Sequence, residues 1–399
     1  MHYLGDRWRS DHVLPRRSRA GVSATARGRR GHLVEQVVVR LFFLAAWALC
    51  ACGYGARFED CVIACTASSG CPDGFTCGSE GACRAPGVSA TCSSIIDGGH
   101  DAQVVHSCED LPATCGPAGT SPCCSSSLVP GGTFYRNHDV GTDNMFPGTA
   151  LPATVSSIRL DTYEVTIGRF RQFVNAGLGT QTSPPTAGAS ARILNGMASQ
   201  GGWDSTWNTS LKANTADLVA AIKAGGTWTD TPGANENLPV NVITWFEAFA
   251  FCSWDGGFLP TQAEGNFAAA GGSEQRAYPW SNPASSLAID CAHANYDAQP
   301  HCVNPPGGAA NRVGSESPEG DGAYGQADLG GNVAEWMLDY VGAPPTPCTD
   351  CATLTPAANR IIRGGSWYQI AVTLRTARPD GITPTFRGYD LGVRCARSP

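Results

Sequence analysis

Charge is scarce in this chain: Asp, Glu, Lys and Arg make up 15% of its 399 residues, while Gly contributes 48 and Pro 27. So little helix-forming charge excludes a long helical bundle and predicts a loop-rich domain with short helices. A basic surplus is missing as well. The formal charge is −7, and residues 1–51 hold nine Arg against Asp6, Asp11 and Glu35, a local +6, so the chain beyond them carries −13. Such a surface repels phosphate backbones and excludes nucleic acid as a partner. Walker loops, dinucleotide fingerprints and Ser/His/Asp signatures are absent, which removes nucleotide-driven and serine-hydrolase chemistry. The later histidines, His138, His293 and His301, form no HxD or HxxxE pattern, so no facial iron-binding set is legible.

Cysteine, by contrast, is abundant. Of 18, six lie between Cys61 and Cys92, four between Cys108 and Cys124, and six between Cys252 and Cys395. Even groups of this kind point to disulfides formed in an oxidising compartment. The apolar run Leu41–Ala51 is too short to span a bilayer and suits a signal-peptide core. Leu49-Cys50-Ala51-Cys52 resembles a bacterial lipobox, which would lipidate Cys52 and anchor the exported chain to a membrane of the cell envelope. The other reading is an ordinary signal peptide and a secreted protein.

These features divide the chain into a leader (1–51), a lipidated N-terminus with a disulfide-stapled module (52–92), a Ser/Gly/Pro-rich linker (93–126) and one large domain (127–398). Zinc is the rival reading for the small module, against which stand its missing His and unrepeated CxxC spacing. In the large domain Ile158–Tyr163 alternates like a strand, and Thr166 caps a helix with Ile167, Phe170, Phe173 and Val174 on one face. Trp245, Ala248, Phe249 and Cys252 mark a second helix. Between them, 177–239 is polar and Gly-rich, which predicts a long surface excursion. Thr261 and Glu264 have the spacing of a capping box, with a catalytic carboxylate as the other use of Glu264.

Five segments then follow one another in order: Leu160–Thr166 (LDTYEVT), Leu238–Trp245 (LPVNVITW) running on to Trp254, Leu259–Glu264 (LPTQAE), Asp328–Trp336 (DLGGNVAEW), and Arg363–Trp367 (RGGSW) with Leu391–Cys395 (LGVRC). Together they resemble the formylglycine-generating enzyme, or sulfatase-modifying factor, family across 127–398. The resemblance implies an α+β, loop-rich fold related to C-type lectins, and a disulfide between Cys252 and Cys395. Cys291/Cys302 and Cys348/Cys351 are then left as local pairs. It also implies a calcium site at Asp328, Gly331, Val333 and Glu335, two side chains and two carbonyls in an oxygen set suited to that ion; a helix cap is the alternative use. A second calcium site would start at Asn295-Tyr296, whose acidic counterpart has no match downstream. Arg363, Trp367, Arg375, Arg378 and Arg394 are the expected groove residues.

Members of that family oxidise a substrate cysteine with molecular oxygen, through two cysteines after the GGS motif that bind copper(I). Here Gln369 stands at the first of those positions, and no Cys occurs between Cys351 and Cys395. A neutral amide does not replace a thiolate as a copper(I) ligand. The expectation is therefore a non-catalytic envelope module that binds a peptide, protein or glycan, with structural calcium and without copper. The alternative is an oxygen- or metal-dependent modifier of exported proteins with altered chemistry.

Overall fold

The computed structural model describes residues 105–109, 111–141, 148–298, 302 and 309–399, together with the backbone of β1 (Thr76–Cys77) and β2 (Cys83–Arg84). Two units, Met1–Phe58 and Glu59–Pro399, make up the chain. The first, with the expected leader and Cys52, lies outside the described residues. Of the Cys-rich module only the β1–β2 antiparallel pair is described, with Cys77 opposite Cys83. No helix among the described residues is long and apolar enough to cross a membrane.

The large domain opens with β3 (Ser126–Val129), β4 (Gly132–Tyr135), β5 (Pro152–Val155) and β6 (Ile158–Asp161). Next come α1 (Ile167–Asn175), β7 (Arg192–Leu194), β8 (Met197–Gln200) and α2 (Thr215–Lys223). After α3 (Trp245–Trp254) and α4 (Gln262–Ala269), the chain ends in β9 (Ala334–Tyr340), β10 (Arg360–Arg363), β11 (Asp380–Ile382), β12 (Leu391–Gly392) and β13 (Ala396–Arg397). One sheet has the order β11-β10-β9-β12 and another the order β13-β6-β3. All these pairs are antiparallel except the parallel β9–β12.

Helix starts follow the predicted chemistry. Thr166 accepts from the Arg169 amide, and Thr244/Glu247 and Thr261/Glu264 each close a full capping box, satisfying amides that a helix start leaves orphaned. The Trp245 indole donates to Met337 O at 2.8 Å and the Trp336 indole to Ile243 O at 3.2 Å. These tryptophans thereby lock α3 to β9 inside the core.

Two expectations need correction. The stretch 177–239 is no surface excursion, because its Leu194, Trp203, Leu211, Leu218, Ile222 and Trp228 are buried in the main apolar cluster. Outside α2 its apolar residues are too sparse to show a period, yet they join the same buried cluster as residues of α1 and α3. The predicted linker likewise ends early. Ser107 donates through its amide to Asp255 at 2.7 Å and accepts from Arg169 Nε at 2.9 Å. Cys115 and Cys123 are bridged and buried with Tyr163 and Val313. Residues 105–125 are thus part of the domain.

The expected Cys252–Cys395 bridge is present and spans 143 residues, tying α3 to the segment between β12 and β13. A loop of that length is constrained by about 4–5 kcal/mol in the chain-entropy picture. Beside it, Arg169 pairs with Asp161 at 2.8 Å and Asp255 at 2.6 Å, and Arg397 pairs with the same two carboxylates; all four side chains are buried. Removing one cation from such a closed set strands a buried charge. Arg169→Leu is therefore expected to lower the unfolding free energy by about 3–5 kcal/mol, read by urea unfolding; a loss under about 1 kcal/mol would contradict the structural role given to this network.

Candidate functional site

Three segments meet at an acid-rich bend. Asp328 adopts φ 57° and accepts from the Gly314 amide at 2.6 Å, while Glu335, at the start of β9, pairs with Arg394 at 2.8 Å. Glu164 accepts from Val333 N at 3.0 Å and from the Asn332 side chain at 2.6 Å. Gly331, at φ 99°, leaves no room for a side chain, since a Cβ there would lie 2.6 Å from Asn295 O. Asn295 in turn donates to Ala309 O and Asn332 Oδ1. Asn295, where a second calcium site was expected to start, therefore neighbours the bend of the first expected site. Tyr296 packs partly buried beside the Tyr278/Trp280 cluster.

Burial and mutual repulsion push this cluster toward protonation. Burial raises Glu164 well above the usual carboxylate range, helped by Asp328 and Glu335. Burial likewise raises Glu335 against the pull of Arg394, Asp328 to about 6, and Glu316 to about 8 with Asp328 adding to it. Two oxygens, Asn295 Oδ1 and Glu316 Oε2, are buried without a hydrogen-bond partner. Orphaned oxygens among carboxylates fit a hard cation. Among the described residues no three His, Cys, Asp or Glu side chains gather closely enough to hold a metal alone, so carbonyls such as those of Gly331 and Val333 would have to complete the set.

A cleft of about 220 Å³ opens beside this bend, lined by Ala334, Arg363, Gln369, Thr373, Arg378 and Asp380 among others. The backbone N–H of Gln369 donates to Ser366 O at 3.0 Å, and its backbone carbonyl accepts from Asp297 N at 2.9 Å. Gly365, at φ 66°, gives the turn before it; a Cβ there would lie 2.7 Å from Leu374. Arg363 is buried, donating to Thr376 O at 2.9 Å and Asn137 Oδ1 at 3.0 Å, and no carboxylate touches it. A second chamber of about 340 Å³ shares Pro379 and Asp380 with the first and includes Asn137, Gln262 and Asp339.

Of the expected groove residues, Arg363 and Arg378 line the cleft. Arg375 and Arg394 do not belong to it: Arg375 is buried against Asp139, and Arg394 against Glu335. Each met a carboxylate from a distant segment, which the sequence alone does not reveal. Trp367 is half-buried and meets the Tyr368 ring edge to face and the Tyr389 ring at a tilt, outside the cleft lining. Glu316, Asp339 and Glu164 were not legible as site residues, although Glu164 lies within the Leu160–Thr166 segment of the family resemblance.

Every cysteine from Cys108 onward is bridged: Cys108–Cys124, Cys115–Cys123, Cys252–Cys395, Cys291–Cys302 and Cys348–Cys351. None of them lines the cleft. Residues 112–399 match the sulfatase-modifying factor enzyme 1-like domain. The chain belongs to that family. It is 28% identical over 305 residues to the formylglycine-generating enzyme of Thermomonospora curvata, covering 68% of this chain and 92% of that relative. It is 26% identical over 291 residues to the inactive C-alpha-formylglycine-generating enzyme 2 of Mus musculus, covering 68% of this chain and 84% of that one. A solved structure, PvdO from Pseudomonas aeruginosa, is similar at TM-score 0.47 and 19% identity over 69% of this chain and 95% of that one. Within this sulfatase-modifying factor domain the α+β, loop-rich architecture is the one expected.

Asp339 gives the second chamber a pH response. Burial raises its carboxyl to about 6, although Gln262 N and Thr353 N donate to it at 2.7 and 2.6 Å. A carboxyl that holds its proton more tightly when folded contributes stability below about pH 4 that is lost as pH rises through about 6, on the order of 3 kcal/mol. Asp339→Asn cannot ionise, so its unfolding free energy is expected to lack that decline. Parallel pH dependences of variant and wild type in urea unfolding would contradict this.

Proposed function

We propose that this domain binds an extended polypeptide segment in the Gln369 cleft and does not oxidise cysteine. One observation carries the reading. Where the family resemblance calls for a copper-binding thiolate, the neutral amide of Gln369 lines the cleft. The other thiols of the domain are consumed in disulfides. A mouse relative that carries the word inactive in its name supports the same direction. An extended ligand suits the cleft better than a compact one, because both chambers include residues of β11, which lies at the edge of its sheet.

Incubation of the full chain with a peptide bearing the sulfatase motif, under oxygen and with copper supplied, tests this. Mass spectrometry is expected to find the peptide cysteine unchanged; any conversion to the aldehyde would sink the reading.

Calcium belongs to the frame in this proposal. The side chains of Asp328 and Glu335, with carbonyls from the bend, would hold the ion and relieve repulsion within the cluster. Saturating calcium is expected to raise the melting temperature over that in chelator, corresponding to about 2.7 kcal/mol at a hundredfold excess over Kd. Glu335→Gln should remove the difference, and identical melting of the wild type with and without calcium would count against the ion. The paired cysteines agree with export into an oxidising compartment, where a lipid on Cys52 would keep the domain at the cell envelope.

A further inference from the structure

Arg136 is 2% exposed, yet among the described residues no carboxylate accepts from it. Its Nη2 donates to Pro345 O at 2.6 Å, its Nη1 points to Cys351 Sγ at 3.2 Å, and its Nε has no partner. Burial pushes this guanidinium down, with Asp339 acting against that shift. A buried cation facing a neutral disulfide gains little, since sulfur is a weak acceptor. Facing a thiolate it gains a charge-assisted bond. Among the described residues, Cys351 has the one disulfide sulfur with a guanidinium in hydrogen-bond contact.

The bridge itself adds little to the fold. Cys348 and Cys351 have only two residues between them, and a loop so short gains least from a cross-link. Other bonds already hold it. Thr154 N donates to Cys348 O and Asp350 N to Thr154 O, both at 2.9 Å, and Asn195 N donates to Asp350 O at 3.0 Å. The Asp350 carboxylate is engaged by Ser156 N and Oγ. Opening the disulfide therefore leaves the loop anchored. A CxxC spacing, a redundant bridge and a cation without an anion coincide at one place, and Cys348-Thr349-Asp350-Cys351 has the spacing of redox-active dithiols.

We propose that Cys348–Cys351 is a thiol–disulfide exchange site that accepts electrons from a small dithiol, with Arg136 stabilising the Cys351 thiolate. One thiolate of the dithiol attacks Cys348 Sγ, on the more exposed cysteine of the two at 5% against 1%. The S–S bond breaks, and its electron pair leaves on Cys351 Sγ beside the guanidinium; a stabilised leaving thiolate departs faster. The second thiol of the dithiol then attacks the mixed disulfide and releases Cys348. The dithiol becomes a cyclic disulfide and two electrons pass to the protein. Of the two protons released, one goes to Cys348 and the other to solvent. The charged groups that bear on Cys351 are Arg136, Asp339 through Arg136, and Asp350 in its own loop; Thr154, Ser156 and Asn195 are neutral. The same loop supplies Gly342, Pro344 and Thr353 to the second chamber.

The oxidised full chain, equilibrated in mixtures of reduced and oxidised dithiothreitol, quenched with acid, alkylated and mapped by mass spectrometry, tests the proposal. Cys348 and Cys351 are expected to appear as free thiols while Cys252–Cys395 stays bridged and the near-ultraviolet circular dichroism is unchanged. Arg136→Met is expected to slow that opening about tenfold or more. Opening only together with Cys252–Cys395, or at the wild-type rate in Arg136→Met, would overturn it. Should that variant fail to fold, thiolate absorbance of the selectively reduced wild type decides. One thiol is expected to titrate clearly below the free-cysteine value of about 8.5, and two thiols at or above it would overturn the assignment.

Discussion

Arg394 is the residue on which the domain closes. Its guanidinium donates to Asp161 O, Thr162 O and Ala327 O and pairs with Glu335, so β6, the bend before β9 and the C-terminal segment share one buried cation. Its neighbour Cys395 bridges to α3, and Arg397 pairs with Asp161 and Asp255. Arg394 is also the cation that directly pairs within the acid cluster. Four carboxyl groups crowd around this one cation, and burial pushes all four toward their protonated forms; a hard cation bound among them would let them ionise and so stabilise the frame.

The cleft adjoins this bend, since Ala334 between Val333 and Glu335 lines it. It takes Ala334 and Ile362 from β9 and β10 and its polar groups from the loop between β10 and β11. Residues that carry the family resemblance are mostly scaffold: the capping boxes, Trp245 and Trp336, Arg394 and Cys395 are buried and satisfied by neighbours. The departure at Gln369 falls where a ligand would sit. A scaffold of this kind can be kept while the chemistry at its cleft is lost, which is why fold and activity have to be argued separately.

Local and periodic features were legible in the sequence. Thr166, Thr261 and Glu264 announced their helix starts through hydrogen-bonding groups at fixed spacing, and α1 buried the face that its apolar period marked. Distant pairings were not. Nothing near Arg375 in sequence names Asp139, and nothing near Ser107 names Asp255. The stretch 177–239 read as surface because Trp203 and Trp228 stand singly among polar residues, although each is buried. The acid cluster was half legible: Asp328 and Glu335 share a motif, whereas Glu316 reaches it from a Gly-rich loop with no pattern of its own.

The absence of a thiolate in the cleft is the central claim, and copper(I) reads it directly. Titration of the full oxidised chain with copper(I) against a competing chelator is predicted to find no ion held stoichiometrically. One copper retained per chain by that protein would contradict the account.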